Sequence, residues 1–322
     1  MFSLIRSVRP PVAVLVLLVS GLLSPAISAQ HAPLAADALA AAAAPVDPGV
    51  AAFEGVRALG RRWDLDAYER TVALYTAVHR AIDWPGVLDP ESVAYGPDPA
   101  QHLLLFRPEQ EFSEPGPVFL FVHGNGLGES GAVVPGSEGL IYSHMGKIAA
   151  VFGGIGIVPD YRSGAAPESA VADLGLVIDW ARNHVADSGG DPETIVLLAN
   201  SSGATIAAHY LFDRKVQAGP GPGIAAAILS SGFFGAASPG LAELVDAYEG
   251  PRTPLALWSA EYDPPIVETG VAELYLQLCR KYAECPSFDQ IRNHNHVSQI
   301  MSFGTSDTTA TGAMIRFYHT VR

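Results

Sequence analysis

The sequence is short of cysteine, of basic residues and of long apolar runs. Only two cysteines occur in 322 residues. There is no C-x-x-C and no Cys/His cluster, so nothing in the pattern points to a metal site. Nineteen Lys and Arg stand against 33 Asp and Glu, a formal net charge of −14, and no basic run occurs. Such a chain is a poor partner for nucleic acid or for an anionic membrane surface; its charge favours solubility. No apolar run reaches the ~20 residues that a membrane-spanning helix needs. IAAVFGGIGIV, Ile148 to Val158, is too short and carries glycines. There is no internal repeat. No G-x-G-x-x-G opens a helix after an early strand, which argues against a dinucleotide-binding protein.

The N-terminus has its own character. Arg6 and Arg9 precede VAVLVLLVSGLL, Val12 to Leu23, followed by SPAISAQ. A positive region, a short apolar run and a small-residue exit read as a secretory signal peptide over residues 1–29, cleaved after Ala29. An uncleaved anchor is the alternative. The expectation is a secreted or periplasmic protein with no stable membrane insertion after cleavage. Loss of the two arginines would deepen the charge to −16. Residues 30–52 are Ala-rich with scattered proline and have no patterned apolar face, so they read as a tether or disordered lead-in. An exported chain meets oxidising conditions, so Cys279 and Cys285 in CRKYAEC are expected to pair; two buried thiols are the alternative.

Residues 53–322 read as one domain. DLDAYERTVALYTAVHRAI, from Asp64, has helical periodicity with Asp64 as N-cap. From residue 117 onward, short apolar strands alternate with helices. PVFLFVHG, IGIVPDY, TIVLLA, IAAAILSSG, PLALWSA and SFDQI are the strands. The helices cover Ile141–Phe152, Pro167–Ala186, Gly203–Phe212, Glu268–Tyr282 and Thr309–Thr320. This alternation predicts an α/β fold: a mostly parallel sheet with helices on both faces. Ligands in such sheets sit beyond the carboxyl ends of the strands, so the residues just after each strand carry the chemistry.

After TIVLLA comes NSSGA. A sharp strand-to-helix turn needs small residues two before and two after its apex. Ser201 has Ala199 and Gly203 there; Ser202 has the bulkier Asn200 on one side. Ser201 is therefore the candidate nucleophile, and Ser202 offers a backbone N–H at a helix N-terminus, where negative charge is favoured. Simple helix capping by both serines is the alternative. After PVFLFV come His123, Gly124, Asn125 and Gly126, a glycine-rich turn able to aim N–H groups at an oxyanion. After PLALWSA comes Asp263, held by prolines and able to orient a histidine, with Glu261 as rival acid. After SFDQI come His294 and His296. Two histidines at i and i+2 suit a metal, but no third ligand stands nearby, so one reads as a general base. His79, His184 and His319 fall in predicted helices and read as surface or satisfied structural residues. The order nucleophile, acid, histidine is that of the α/β-hydrolase arrangement.

Those residues resemble a known group. The chain looks like an α/β-hydrolase esterase of the hormone-sensitive-lipase-like and kynurenine-formamidase-like group, over roughly residues 90–320. PVFLFVHGNG is similar to the strand bearing their HGGG motif. VPDYR, the path to LLANSSGA, AEYDPPIVE and NHNHVSQI are similar to their nucleophile, acid and histidine segments. The resemblance implies a triad of Ser201, Asp263 and His296, with His296 preferred because it precedes the hydrophobic Val297. It implies an oxyanion hole from the backbone N–H groups of Gly124, Asn125 and Ser202, and no cofactor. The substrate implied is a small-molecule or polymeric ester; amides and formamides are alternatives on the same fold, and an inactive binding protein is a third. Two departures stand out: alanine at 199 and asparagine at 125. The insert Phe233–Pro251 is expected either as a small lid, with Phe233, Phe234 and Leu241 lining an acyl pocket, or as a surface helix packed on the sheet.

Overall fold

Strands buried on both faces read as unbroken apolar runs, because neither side of the pleat meets water. TIVLLAN shows this well: Ile195, Leu197 and Ala199 point into one core, and Val196 and Leu198 into the other. The computed structural model describes residues 47–110, 114–125, 131, 133–162 and 167–321. The signal-peptide reading and most of the lead-in, residues 1–46, lie outside the described residues.

Eight strands form one sheet. They are β1 (Glu91–Ala94), β2 (His102–Phe106), β3 (Gly116–Val122), β4 (Ile155–Pro159), β5 (Gly190–Asn200), β6 (Ala226–Ser230), β7 (Leu255–Tyr262) and β8 (Ser287–Asn295). Their order is β1-β2-β4-β3-β5-β6-β7-β8. β1 and β2 pair antiparallel at one edge, and β2 runs antiparallel to β4. All remaining pairs are parallel. The mostly parallel sheet with helices on both faces is thus as expected.

One face is covered by helices Pro167–His184, Ser202–Phe212, Leu241–Ala247 and Pro265–Tyr282. The other carries α1 (Pro48–Leu59), α2 (Leu65–Arg80), α3 (Ser143–Val151), the single turn Ser298–Met301 and the final helix Thr309–Thr320. No helix among the described residues is long and apolar enough to cross a membrane.

Two elements depart from the sequence reading, and a third settles between its alternatives. α1 begins inside the stretch read as lead-in. Asp47 caps it by accepting the Gly49 N–H at 2.7 Å, Pro48 sits in its first turn, and Ala52, Val56 and Leu59 bury one face. Alanine-rich composition hid this short stripe. β8 runs on to Asn295, well past SFDQI. The insert after β6 forms a 3-10 turn, Gly235–Ala237, and the helix Leu241–Ala247, packed against helices Ser202–Phe212 and Pro265–Tyr282. It is the surface-helix alternative. Cys279, in the last turns of Pro265–Tyr282, is disulfide-bonded to Cys285 just before β8.

Candidate active site

The carboxyl ends of β5, β7 and β8 bring three side chains together. Ser201 stands at the apex between β5 and the helix Ser202–Phe212, with φ 58° and ψ −130°. A non-glycine residue at positive φ costs of order 1–3 kcal/mol and persists only where its surroundings enforce it. Here the Ser201 N–H donates to Ser230 O at 3.0 Å. The turn is also wedged tight: a Cβ on Gly203 would lie 2.4 Å from the carbonyl oxygens of Val122 and His123, and one on Gly124 would lie 2.7 Å from the Ser201 Cβ. Ala199, two residues before the apex, is fully buried.

Ser201 Oγ lies 2.8 Å from His296 Nε2, and His296 Nδ1 lies 2.8 Å from Asp263 Oδ1. All three are buried; Ser201 keeps 6% of its surface exposed and Asp263 none. The other carboxylate oxygen, Oδ2, accepts the Ala260 N–H at 2.7 Å, the Ser231 hydroxyl at 2.5 Å and the Ser259 hydroxyl at 3.2 Å. Three donors on one oxygen fix the carboxylate in place and leave Oδ1 aimed at the imidazole. Gln299 braces the far side, donating to Ser231 Oγ at 2.6 Å and to the His296 carbonyl at 3.0 Å.

The rivals go elsewhere. Glu261 accepts the Asn293 N–H at 2.7 Å. His294 Nδ1 lies 3.0 Å from Ser298 Oγ, and its Nε2 lies 3.2 Å from Asp307 Oδ2. The His294 hydrogen bond holds the Asp307 carboxyl below its ordinary range. The two histidines therefore diverge from a common metal position. His79 is buried and bound to the Met301 carbonyl, as a structural histidine should be.

The oxyanion candidates are only partly as expected. The helix starts at Ser202, so its N–H belongs to the unpaired donors of a first turn. Gly124 sits against Ser201. The Asn125 N–H, however, donates to the Ser202 hydroxyl at 2.9 Å. That donor is engaged by the second serine. The Tyr161 hydroxyl lies 2.7 Å from the His123 carbonyl and 2.9 Å from Asn125 Oδ1. Tyr161 is therefore a further brace on this loop, and burial pushes its phenol well above the ordinary range. Gly126 lies outside the described residues.

The expected acyl pocket needs correction. Phe234 and Leu241 are almost fully buried in the hydrophobic core, so neither lines the site. Phe233 does reach it, its ring 5.6 Å from the His296 ring. Trp63, from the turn between α1 and α2, comes closer: its ring centroid is 4.3 Å from that of His296, edge-on at 66°. Beside it, Arg61 donates to the Asp263 carbonyl at 2.9 Å and pairs with Glu268 at 2.7 Å. Sequence reasoning missed Arg61 and Trp63. The stretch GRRWDLD reads as a polar turn before a capped helix, and no local signal says that it closes over residues 263 and 296.

No family model matches the chain. Over 121 residues it is 35% identical to esterase LipC of Mycobacterium tuberculosis, covering 36% of this chain and 28% of that protein. Over 130 residues it is 31% identical to a probable isoprenylcysteine α-carbonyl methylesterase of Arabidopsis thaliana, covering 39% of this chain and 25% of the other. The chain thus spans about a quarter of the length of these curated relatives. Among solved structures, a bacterial heroin esterase superposes with a TM-score of 0.60 at 16% identity, covering 84% of this chain and 98% of that one. Esterase B from Lactobacillus rhamnosis gives 0.58 at 15%, covering 84% and 95%. The chain has the α/β-hydrolase fold of these enzymes.

Proposed function

We propose that this α/β-hydrolase chain is a serine esterase that hydrolyses carboxylic esters through Ser201, His296 and Asp263. The observation that carries the reading is the unbroken relay of two 2.8 Å contacts, Ser201 Oγ to His296 Nε2 and His296 Nδ1 to Asp263 Oδ1. The esterases among its partial relatives and fold neighbours support it.

His296 takes the Ser201 proton as Oγ attacks the ester carbonyl. Asp263 holds the imidazole with Nε2 toward serine and stabilises the cation that forms. Negative charge grows on the carbonyl oxygen, near the Ser202 N–H and the dipole of the helix behind it. The C–O bond to the alcohol then breaks, and His296 returns the proton to the departing alkoxide. Water, activated the same way, releases the acid. Every group needed is a side chain or a backbone N–H.

The test is hydrolysis of a p-nitrophenyl ester series, acetate to palmitate, by wild type and Ser201→Ala. The variant is expected to lose at least about 10⁴-fold in kcat while keeping its melting temperature. A folded wild type that cleaves no ester would sink the reading. The proposal also places the protein outside the cytosol, on the strength of the positive and apolar N-terminal pattern. N-terminal sequencing of the exported protein should begin at Gln30; an intact Met1 in that fraction would contradict cleavage.

A further inference from the structure

The esterase reading leaves the alcohol half of the substrate open, and the surroundings of His296 speak to it. When the acyl-enzyme forms, the C–O bond breaks with its electron pair on the alcohol oxygen. That oxygen collects the proton from His296 Nε2. The leaving alcohol must therefore rest against the Nε2 side of the imidazole. Two aromatic rings pack on that imidazole, from segments far apart in sequence: Trp63 at 4.3 Å and Phe233 at 5.6 Å between centroids. Both are only partly buried, unlike Phe234 beside them.

Both rings stand on backbone tied to the reacting elements. The Phe233 N–H donates to Thr205 Oγ1 at 3.0 Å, and the Thr205 hydroxyl lies 3.0 Å from the Phe233 carbonyl. Thr205 belongs to the helix that Ser201 precedes. Trp63 lies between Arg61, bound to the Asp263 carbonyl, and Asp64, which caps α2 through the Ala67 N–H at 2.9 Å. The charges nearby already have protein partners: Arg61 has Glu268, and Glu261 has the Asn293 N–H. A net charge of −14 opposes anionic ligands. Aromatic surface beside charges that, among the described residues, already have partners suits a flat, neutral ligand, and offset or edge-to-face contacts reward an aromatic one beyond its area.

We propose that Trp63 and Phe233 form the alcohol-side wall of the site and select esters of flat aromatic alcohols over small or saturated ones. This rests on the serine-esterase reading.

The test holds the acyl group constant and follows kcat/KM for ethyl, benzyl and cyclohexylmethyl acetate by pH-stat. The three parent alcohols are similarly weak acids, so intrinsic reactivity does not set the order. Wild type is expected to prefer benzyl over ethyl by about 30-fold and over cyclohexylmethyl by about 5-fold. Trp63→Ala should cut the benzyl-to-ethyl ratio by about tenfold. Trp63→Phe, which keeps a ring and is the milder change for folding, should restore most of it. Phe233→Leu should lower the benzyl-to-cyclohexylmethyl ratio. If Trp63→Ala slows all three esters equally, Trp63 only positions His296 and the proposal is overturned. It is also overturned if wild type handles cyclohexylmethyl acetate as well as benzyl acetate. Ser201-dependent cleavage of p-nitrophenyl acetate keeps the esterase reading in either case; without that cleavage, both fall together.

Discussion

At the scale of single residues, the adjacent serines divide their work. Ser201 carries the strained apex and the bond to His296. Ser202 accepts the Asn125 N–H and so ties the loop after β3 to the first turn of the following helix. Removing that acceptor leaves a part-buried N–H without its partner, a loss of about 1–3 kcal/mol, and loosens a loop that the proposed mechanism sets beside the oxyanion. Ser202→Ala is expected to lower kcat on p-nitrophenyl acetate by about tenfold, with KM changed little. Ser202→Thr, which keeps the hydroxyl, should recover most of the rate. Unchanged or faster turnover in Ser202→Ala would mean that the hydroxyl competes for the donor instead of supporting it.

Legibility differs between residues for a physical reason. Ser201, Asp263 and His296 could be read because each follows an apolar strand, and the sheet carries all strand ends to one edge. His294 was separable from His296 only by resemblance; the structure parts them by giving His294 its own partners, Ser298 and Asp307. Ser231, Gln299, Trp63 and Arg61 gave no local signal. Each acts across the fold on a group 30 or more positions away, and hydrogen-bonding capacity leaves no period in a sequence. Phe234 and Leu241 misled because an apolar residue in an insert looks the same whether it faces a pocket or the core.

At the scale of elements, two histidines fasten the turn that follows His296. His79 on α2 and His144 on α3 place their Nε2 atoms 2.7 and 3.0 Å from the carbonyls of Met301 and Ile300. Their ring centroids lie 4.3 Å apart, the planes tilted by 34°. Burial pushes both below the ordinary imidazole range, and a charge on either would face the other and Lys147. Both therefore take up a proton less readily in the folded protein than in the unfolded chain, where each titrates near pH 6.5. The unfolded state therefore binds more protons as the pH falls, and stability drops from about pH 6.5 downward by up to about 1.4 kcal/mol per pH unit for each histidine. Melting temperatures measured from pH 7.5 to 5.5 should fall. The fall should be shallower in the double variant His79→Gln/His144→Gln, whatever its absolute stability. Parallel curves for the two proteins would refute this origin.

At the scale of the whole molecule, charge sets which substrates approach. Thirty-three acidic residues against 19 basic ones give the chain a net negative charge, whose field salt screens. For an ester carrying a carboxylate, such as monoethyl succinate, kcat/KM should rise about 2- to 5-fold between 20 and 500 mM NaCl. For neutral ethyl butyrate it should hardly move. Equal salt responses from the two esters would show that the field does not reach the reacting centre.

The earliest described helices close on the latest segments of the chain. Thr71 accepts from Asn295 at 3.0 Å, His79 meets Met301, Arg61 meets the Asp263 carbonyl, and Trp63 meets His296. These contacts span more than 200 positions, which makes them slow to form. At a synthesis rate of about 5–20 residues per second, α1 and α2 wait about 10–45 s for their partners to be made. Throughout that interval the core that Ala52, Val56, Val72 and Tyr75 join lacks Ile291, Ile300, Met301 and Phe303. The nascent chain thus offers its first two amphipathic helices as a handle for whatever escorts it, and the handle is withdrawn only when His296 has been added and the site is complete.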